Sequence, residues 1–85
     1  MTEAALDLLE AAFSAEIESA MTGRPPVIQR KGKLANQLVA DGFLISETIT
    51  LPGRFPVRVT GLALTERGRM AYCTSERVAE SQQVE

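Results

Sequence analysis

The sequence predicts a small α+β domain in which a long N-terminal helix, a short second helix, a β-hairpin and a C-terminal helix follow one another. Three observations carry that expectation. Apolar residues recur at helical spacing over residues 3–21, and Pro52-Gly53 sits between two runs of alternating, β-branched character. A Leu64-Thr65-x-x-Gly68 segment then opens a last helical run.

In the first helix, Leu6, Leu9, Phe13, Ile17 and Ala20 follow i, i+3, i+4 spacing and mark the face expected to be buried. Glu3, Asp7, Glu10, Ser14 and Glu18 gather opposite. Thr2 suits the N-cap, and acids in the first turn suit the helix dipole. Ala5, Leu8 and Ala12 widen the apolar arc, which fits a helix packing on its own domain and also one packing on a partner. Gly23 ends the helix and Pro25-Pro26 prevents its continuation. Val27 and Ile28 follow, as a short strand or a plug for the core.

Residues 33–41 form the second helix, with Gly42 at its C′ position. Leu34, Ala35, Leu38 and Val39 make its inner side; Lys33, Asn36, Gln37 and Ala40 share the outer one. Asn and Gln can bond an adenine edge through two atoms, and a neighbouring base can hold guanine or phosphate. Any surface helix also shows polar residues on its solvent side. Arg30, Lys31 and Lys33 flank Gly32 just before this helix, as a solvated basic loop or a phosphate-contacting one.

From Phe43 the period changes to alternation. Phe43, Ile45 and Ile49 belong to the first strand run, with Glu47 interrupting the apolar series. Pro52-Gly53 reverses the chain and places Arg54 near the tip of a hairpin spanning 45–63. Val57 onward resumes as a strand, with Gly61 expected as a bulge. Thr65 caps the last helix, residues 66–80, in which Met70, Cys73 and Arg77 share a face. Cys73 is expected to be buried there, and Tyr72 to be a packing residue. One domain over residues 1–80 results, with 81–85 a frayed tail.

At this point the chain resembles winged-helix regulators of the MarR and PadR types over residues 33–73. Their recognition helix ends in Leu-x-x-x-Gly-aliphatic, runs into a hairpin wing, and passes through Leu-Thr-x-x-Gly to a helix. Leu38 to Leu44, the hairpin, and Leu64 to Gly68 match in turn. The resemblance implies a winged-helix-like domain in which Leu64 closes the wing onto the core and Gly68 lets the last helix start close to the sheet. In MarR-type proteins the wing carries Asp-x-Arg ahead of that motif, the Arg entering the minor groove. Arg58 matches the Arg, Pro56 stands in place of the Asp, and Arg54 is the other candidate for the role. Between helix 1 and residue 33 the sequence departs from the pattern, because "RPPVIQRKG" leaves no room for the helix that precedes a recognition helix. Either helix 1 stands in for it, or the layout lacks the DNA-reading geometry.

Charge and composition narrow the function. Residues 1–22 carry five acids and no base, whereas residues 23–69 carry eight bases against three acids. A positive face is therefore available on a chain whose net charge is −2, unless the two segments simply pair with each other. There is no histidine, which removes histidine bases, Ser-His and Cys-His nucleophiles and histidine metal ligands. No enzyme is expected, nor any cofactor or metal. A single cysteine fits a reducing cytoplasm, and no apolar run approaches the roughly 20 residues that span a bilayer.

Two functions remain. The first is a homodimeric transcriptional regulator on double-stranded DNA. Lys33, Asn36 and Gln37 would face the major groove, Arg54 or Arg58 the minor groove, and Arg30 and Lys31 the phosphates. The second is a non-catalytic adaptor or inhibitor, of the kind phages and plasmids use as accessory factors, binding another protein through helix 1 or the hairpin.

Overall fold

A computed structural model of the chain describes residues 2–75. Its elements are α1 (Glu3–Thr22), α2 (Lys33–Ala40), β1 (Leu44–Leu51), β2 (Val57–Leu64) and α3 (Glu66–Cys73). This is the expected α+β order. The arrangement of three helices and an antiparallel hairpin is compatible with a winged-helix-like layout.

Caps and turns define the element ends. The Thr2 hydroxyl accepts from the backbone N–H of Ala5, and Gly23 closes α1 in the left-handed region. Gly42, at φ 84°, ends α2 through a paired motif: its N–H donates to the Val39 carbonyl and that of Phe43 to the Leu38 carbonyl. The chain thereby turns directly from helix into strand.

β1 and β2 pair antiparallel without interruption from Leu44↔Leu64 to Leu51↔Val57. Gly61 lies opposite Glu47 in that ladder, so the expected bulge is not formed. The glycine answers a different need. Ile28 exchanges both backbone hydrogen bonds with Leu62, each 2.9 Å, as an isolated bridge on the free edge of β2. A Cβ on Gly61 would stand 2.7 Å from the Ile28 carbonyl oxygen and 2.9 Å from Val27 Cβ. Gly61→Ala is therefore expected to cost about 1–2 kcal/mol, read as a melting temperature lower by roughly 5–15 °C. An unchanged melting temperature would mean that the 27–28 segment yields freely.

The core is formed by Ala5, Leu9, Ala12, Leu38, Leu44, Leu64 and Tyr72, with Leu6, Leu8, Phe13, Ile28, Phe43 and Leu62 packed against it. Leu44 enters it from β1, while Ile45 is 47% exposed on the reverse of the sheet. The inner face of α1 is rotated from the expected one. Ala5 and Ala12 take the deepest positions beside Leu9, while Ile17 and Ala20 are exposed. Small side chains let the helix approach closely, and the core lies against its N-terminal half. Leu34 and Val39 of α2 are likewise exposed, leaving Ala35 and Leu38 as its buried pair.

α3 bears out the reading of Leu64 to Gly68. Leu64 is buried, and the Thr65 hydroxyl accepts from Gly68 N–H while donating to the Gly42 carbonyl at 2.6 Å. Gly68 lies against the Phe43 carbonyl. Tyr72 packs on Phe13, ring centroids 5.3 Å apart. The helix ends at Cys73 with Thr74 as its cap, and residues 76–80 of the expected run lie outside the described residues. The Thr74 and Ser75 hydroxyls turn back onto the carbonyls of Met70 and Tyr72 and compete with helix continuation. Cys73 is exposed rather than buried, because Gly68 and Tyr72 point inward and the Met70–Cys73 side faces out. Arg77 and the 81–85 tail lie outside the described residues. Among the described residues no helix is long and apolar enough to cross a membrane.

Candidate nucleic-acid interface

Of the eight basic side chains between residues 23 and 69, two serve the fold. Arg69 bonds Glu16 at 2.7 Å, tying α3 to α1. That hydrogen bond, with the Glu16 charge, holds the guanidinium above its ordinary pKa. Arg67 stacks over the Phe43 ring, 4.9 Å from its centroid. Arg24, Arg30, Lys31, Lys33, Arg54 and Arg58 are exposed and form no ion pair among the described residues. Among those residues, mutual neutralisation of the acidic N-terminal and basic middle segments thus accounts for one pair only.

Five of these six cations fall at three stations; Arg24 lies apart, in a second recess that Glu18 also lines. The first is α2, whose outer face carries Lys33, Asn36, Gln37 and Ala40, all exposed. Gly32, at φ 126°, starts this helix without a side-chain cap, in a conformation that favours glycine. Among the described residues Asn36 keeps its amide available. Gln37 does not: its Nε2 donates to Asp41 Oδ1 at 3.1 Å, so base reading through Gln37 requires that bond to break.

The second station is an open groove of about 430 Å³ between the 28–31 segment and the hairpin. Ile28, Gly61 and Leu62 supply its apolar part; Gln29, Arg30, Lys31, Ser46 and Thr60 supply the polar part. Two cations and two hydroxyls line it, and no acid does. Gln29 is held by donating to the Thr60 carbonyl at 2.6 Å, and the Thr48 and Thr60 hydroxyls are 2.9 Å apart. Strand alternation puts Ser46, Thr48 and Thr50 on one sheet face with Thr60 and Arg58. Arg58 is therefore on the groove's side of the wing. Sequence reasoning selected Arg30, Lys31 and Arg58 but missed Ser46 and Thr60. Their signal was the period-two run Ser46, Thr48, Thr50, legible once the ladder is known.

Arg54, at the hairpin tip, is the third station. It is separated from α2 by the length of the strands, roughly 24 Å for the seven steps of an eight-residue strand at about 3.4 Å each. Residues 23–32 contain the Ile28 bridge and no helix, so α2 has no helix immediately before it. α1 itself contacts α2.

No family model, curated protein or solved structure matches this chain.

Proposed function

We propose that this chain is a small winged-helix DNA-binding protein of the MarR/PadR type, a transcriptional regulator acting as a homodimer on duplex DNA. α2 reads the major groove through Lys33 and Asn36, with Gln37 joining if it leaves Asp41. Arg30 and Lys31 hold phosphate beside Ser46 and Thr60, and the wing brings Arg58 and Arg54 to the backbone and minor groove. The observation that carries the reading is the set of exposed cations on α2, the groove and the wing, none of them in an ion pair among the described residues. α1 takes the place of the helix that normally precedes the reader. Its exposed Ile17 and Met21 offer a dimer contact.

Selection of bound duplexes from a random pool tests this directly. An enriched, palindromic motif whose affinity falls steeply with salt is the expected result. Asn36→Ala should then relax preference at one adenine position, costing about 1–3 kcal/mol there, while leaving the salt dependence unchanged. A pool with no enrichment would overturn the proposal. It would favour the second reading, a protein-interaction or inhibitor module, to which the exposed apolar side chains of Ile45 and Val57 on the hairpin reverse point.

A further inference from the structure

We propose that Phe55 is a wedge carried by the wing tip into the minor groove, where it stacks against a base step and bends the duplex. The proposal rests on the DNA-binding reading above and adds to it a deformation of the nucleic acid.

Phe55 is 81% exposed, the largest exposure among the large apolar side chains of the described residues. A phenylalanine so placed contributes nothing to the core. It occupies the five-residue turn 52–56, between Pro52 and Pro56, so its presentation is stiffened on both sides. Arg54 precedes it and Arg58 follows, both exposed. From Thr48 to Thr65 the chain contains these two arginines and no acid, so the outer hairpin carries positive charge alone.

An aromatic ring between cations at the end of a two-stranded ribbon matches a groove walled by phosphates. The minor groove is about 6 Å wide and 7.5 Å deep, and ribbon-type binders enter it with Arg while inserting an apolar wedge between bases. Unstacking a step is costly, and the bend it allows brings more of the duplex against the protein. Here the surface gained would lie along the hairpin toward the Arg30–Lys31 groove. A protein partner or an anionic membrane could also receive an exposed Phe beside Arg. Neither calls for two arginines aligned along a narrow ribbon with a polar Ser/Thr face behind them.

The chain has no tryptophan, so Phe55→Trp installs a single fluorescent reporter at a site where exposure leaves the fold untouched. Met70→Trp, at a 62% exposed position on the outer side of α3, is the control. Each variant is titrated with the duplex enriched by selection, binding being followed independently by anisotropy of labelled DNA. The wedge predicts strong quenching of the indole emission in the Phe55→Trp variant on binding, and little change in the Met70→Trp control. It also predicts that the wild-type chain shortens the end-to-end distance of a doubly labelled duplex, whereas Phe55→Ala binds on the order of tenfold more weakly and leaves it straight. Binding with unchanged emission from the wing-tip reporter and a straight duplex would overturn the wedge and leave the DNA reading intact. Failure of the pool to enrich any duplex would overturn both. A blue shift of the wing-tip reporter with anionic phosphatidylserine vesicles but not with duplex would assign the tip to a membrane surface and overturn the wedge.

Discussion

Gly68→Ala is expected to lower the melting temperature by roughly 10–20 °C, the largest loss from any single methyl group in this domain. A Cβ on Gly68 would fall on the Phe43 carbonyl oxygen, well inside van der Waals contact, and would stand 3.0 Å from Leu64 Cδ1. The leucine can rotate; the carbonyl cannot. That oxygen already accepts from the Thr65 N–H at 3.2 Å, and Gly42 beside it accepts from the Thr65 hydroxyl. Relief requires lifting α3 off the start of β1. Lifting it strains both Thr65 bonds and draws Tyr72 away from Phe13. Overpacking of this kind costs about 2–3 kcal/mol, a large share of the roughly 4–13 kcal/mol that holds a domain of this size. Gly53→Ala is the matched control. A Cβ there meets nothing within 4 Å and the backbone is in an ordinary region, so its melting temperature should hold or rise slightly. Far-UV circular dichroism on heating reads both. Equal melting temperatures for the two variants would show that α3 is not seated on Phe43.

The contrast between glycines shows which parts of the fold could be read beforehand. Gly42 and the Leu64 to Gly68 segment were legible because caps and turns are local: a left-handed residue after a helix, or a threonine three positions before its N–H partner, is specified by its immediate neighbours. Gly61 was legible as special but for the wrong reason. Its close neighbours, Val27 and Ile28, are more than thirty residues away in sequence. The same limit explains the faces. Leu44 rather than Ile45 enters the core, and Ala12 rather than Ile17 lies deepest in α1, because the choice depends on where the other elements lie. Periodicity names the candidates for a face; packing selects among them. Cys73 belongs here too, since Tyr72 and Gly68 decide which side of α3 turns inward. In the candidate interface, basic residues could be named by type alone, whereas the groove joining Arg30 and Lys31 to Ser46 and Thr60 exists only through the Ile28–Leu62 bridge.

That groove supplies the second large effect. Arg30→Glu combined with Lys31→Glu is expected to weaken duplex binding on the order of a hundredfold at low salt, and the salt dependence should change with it. Two charge-assisted contacts to phosphate are worth about 1.5–3 kcal/mol each, and roughly 1.4 kcal/mol is a factor of ten. Each phosphate neutralised adds about 0.9 to the magnitude of the slope of log K against log salt, so losing both should make it shallower by about 2 units. Both side chains are exposed and form no ion pair among the described residues, so the fold should be unaffected. An unchanged melting temperature checks this. The slope distinguishes this variant from Asn36→Ala, which should alter preference among sequences at constant slope, because a base contact releases no counterions. A double variant that binds more weakly with the slope unchanged would place Arg30 and Lys31 outside the phosphate contact. The Ser46–Thr60 face would then lie away from the DNA, and α2 and the wing would have to carry the duplex without the groove between them.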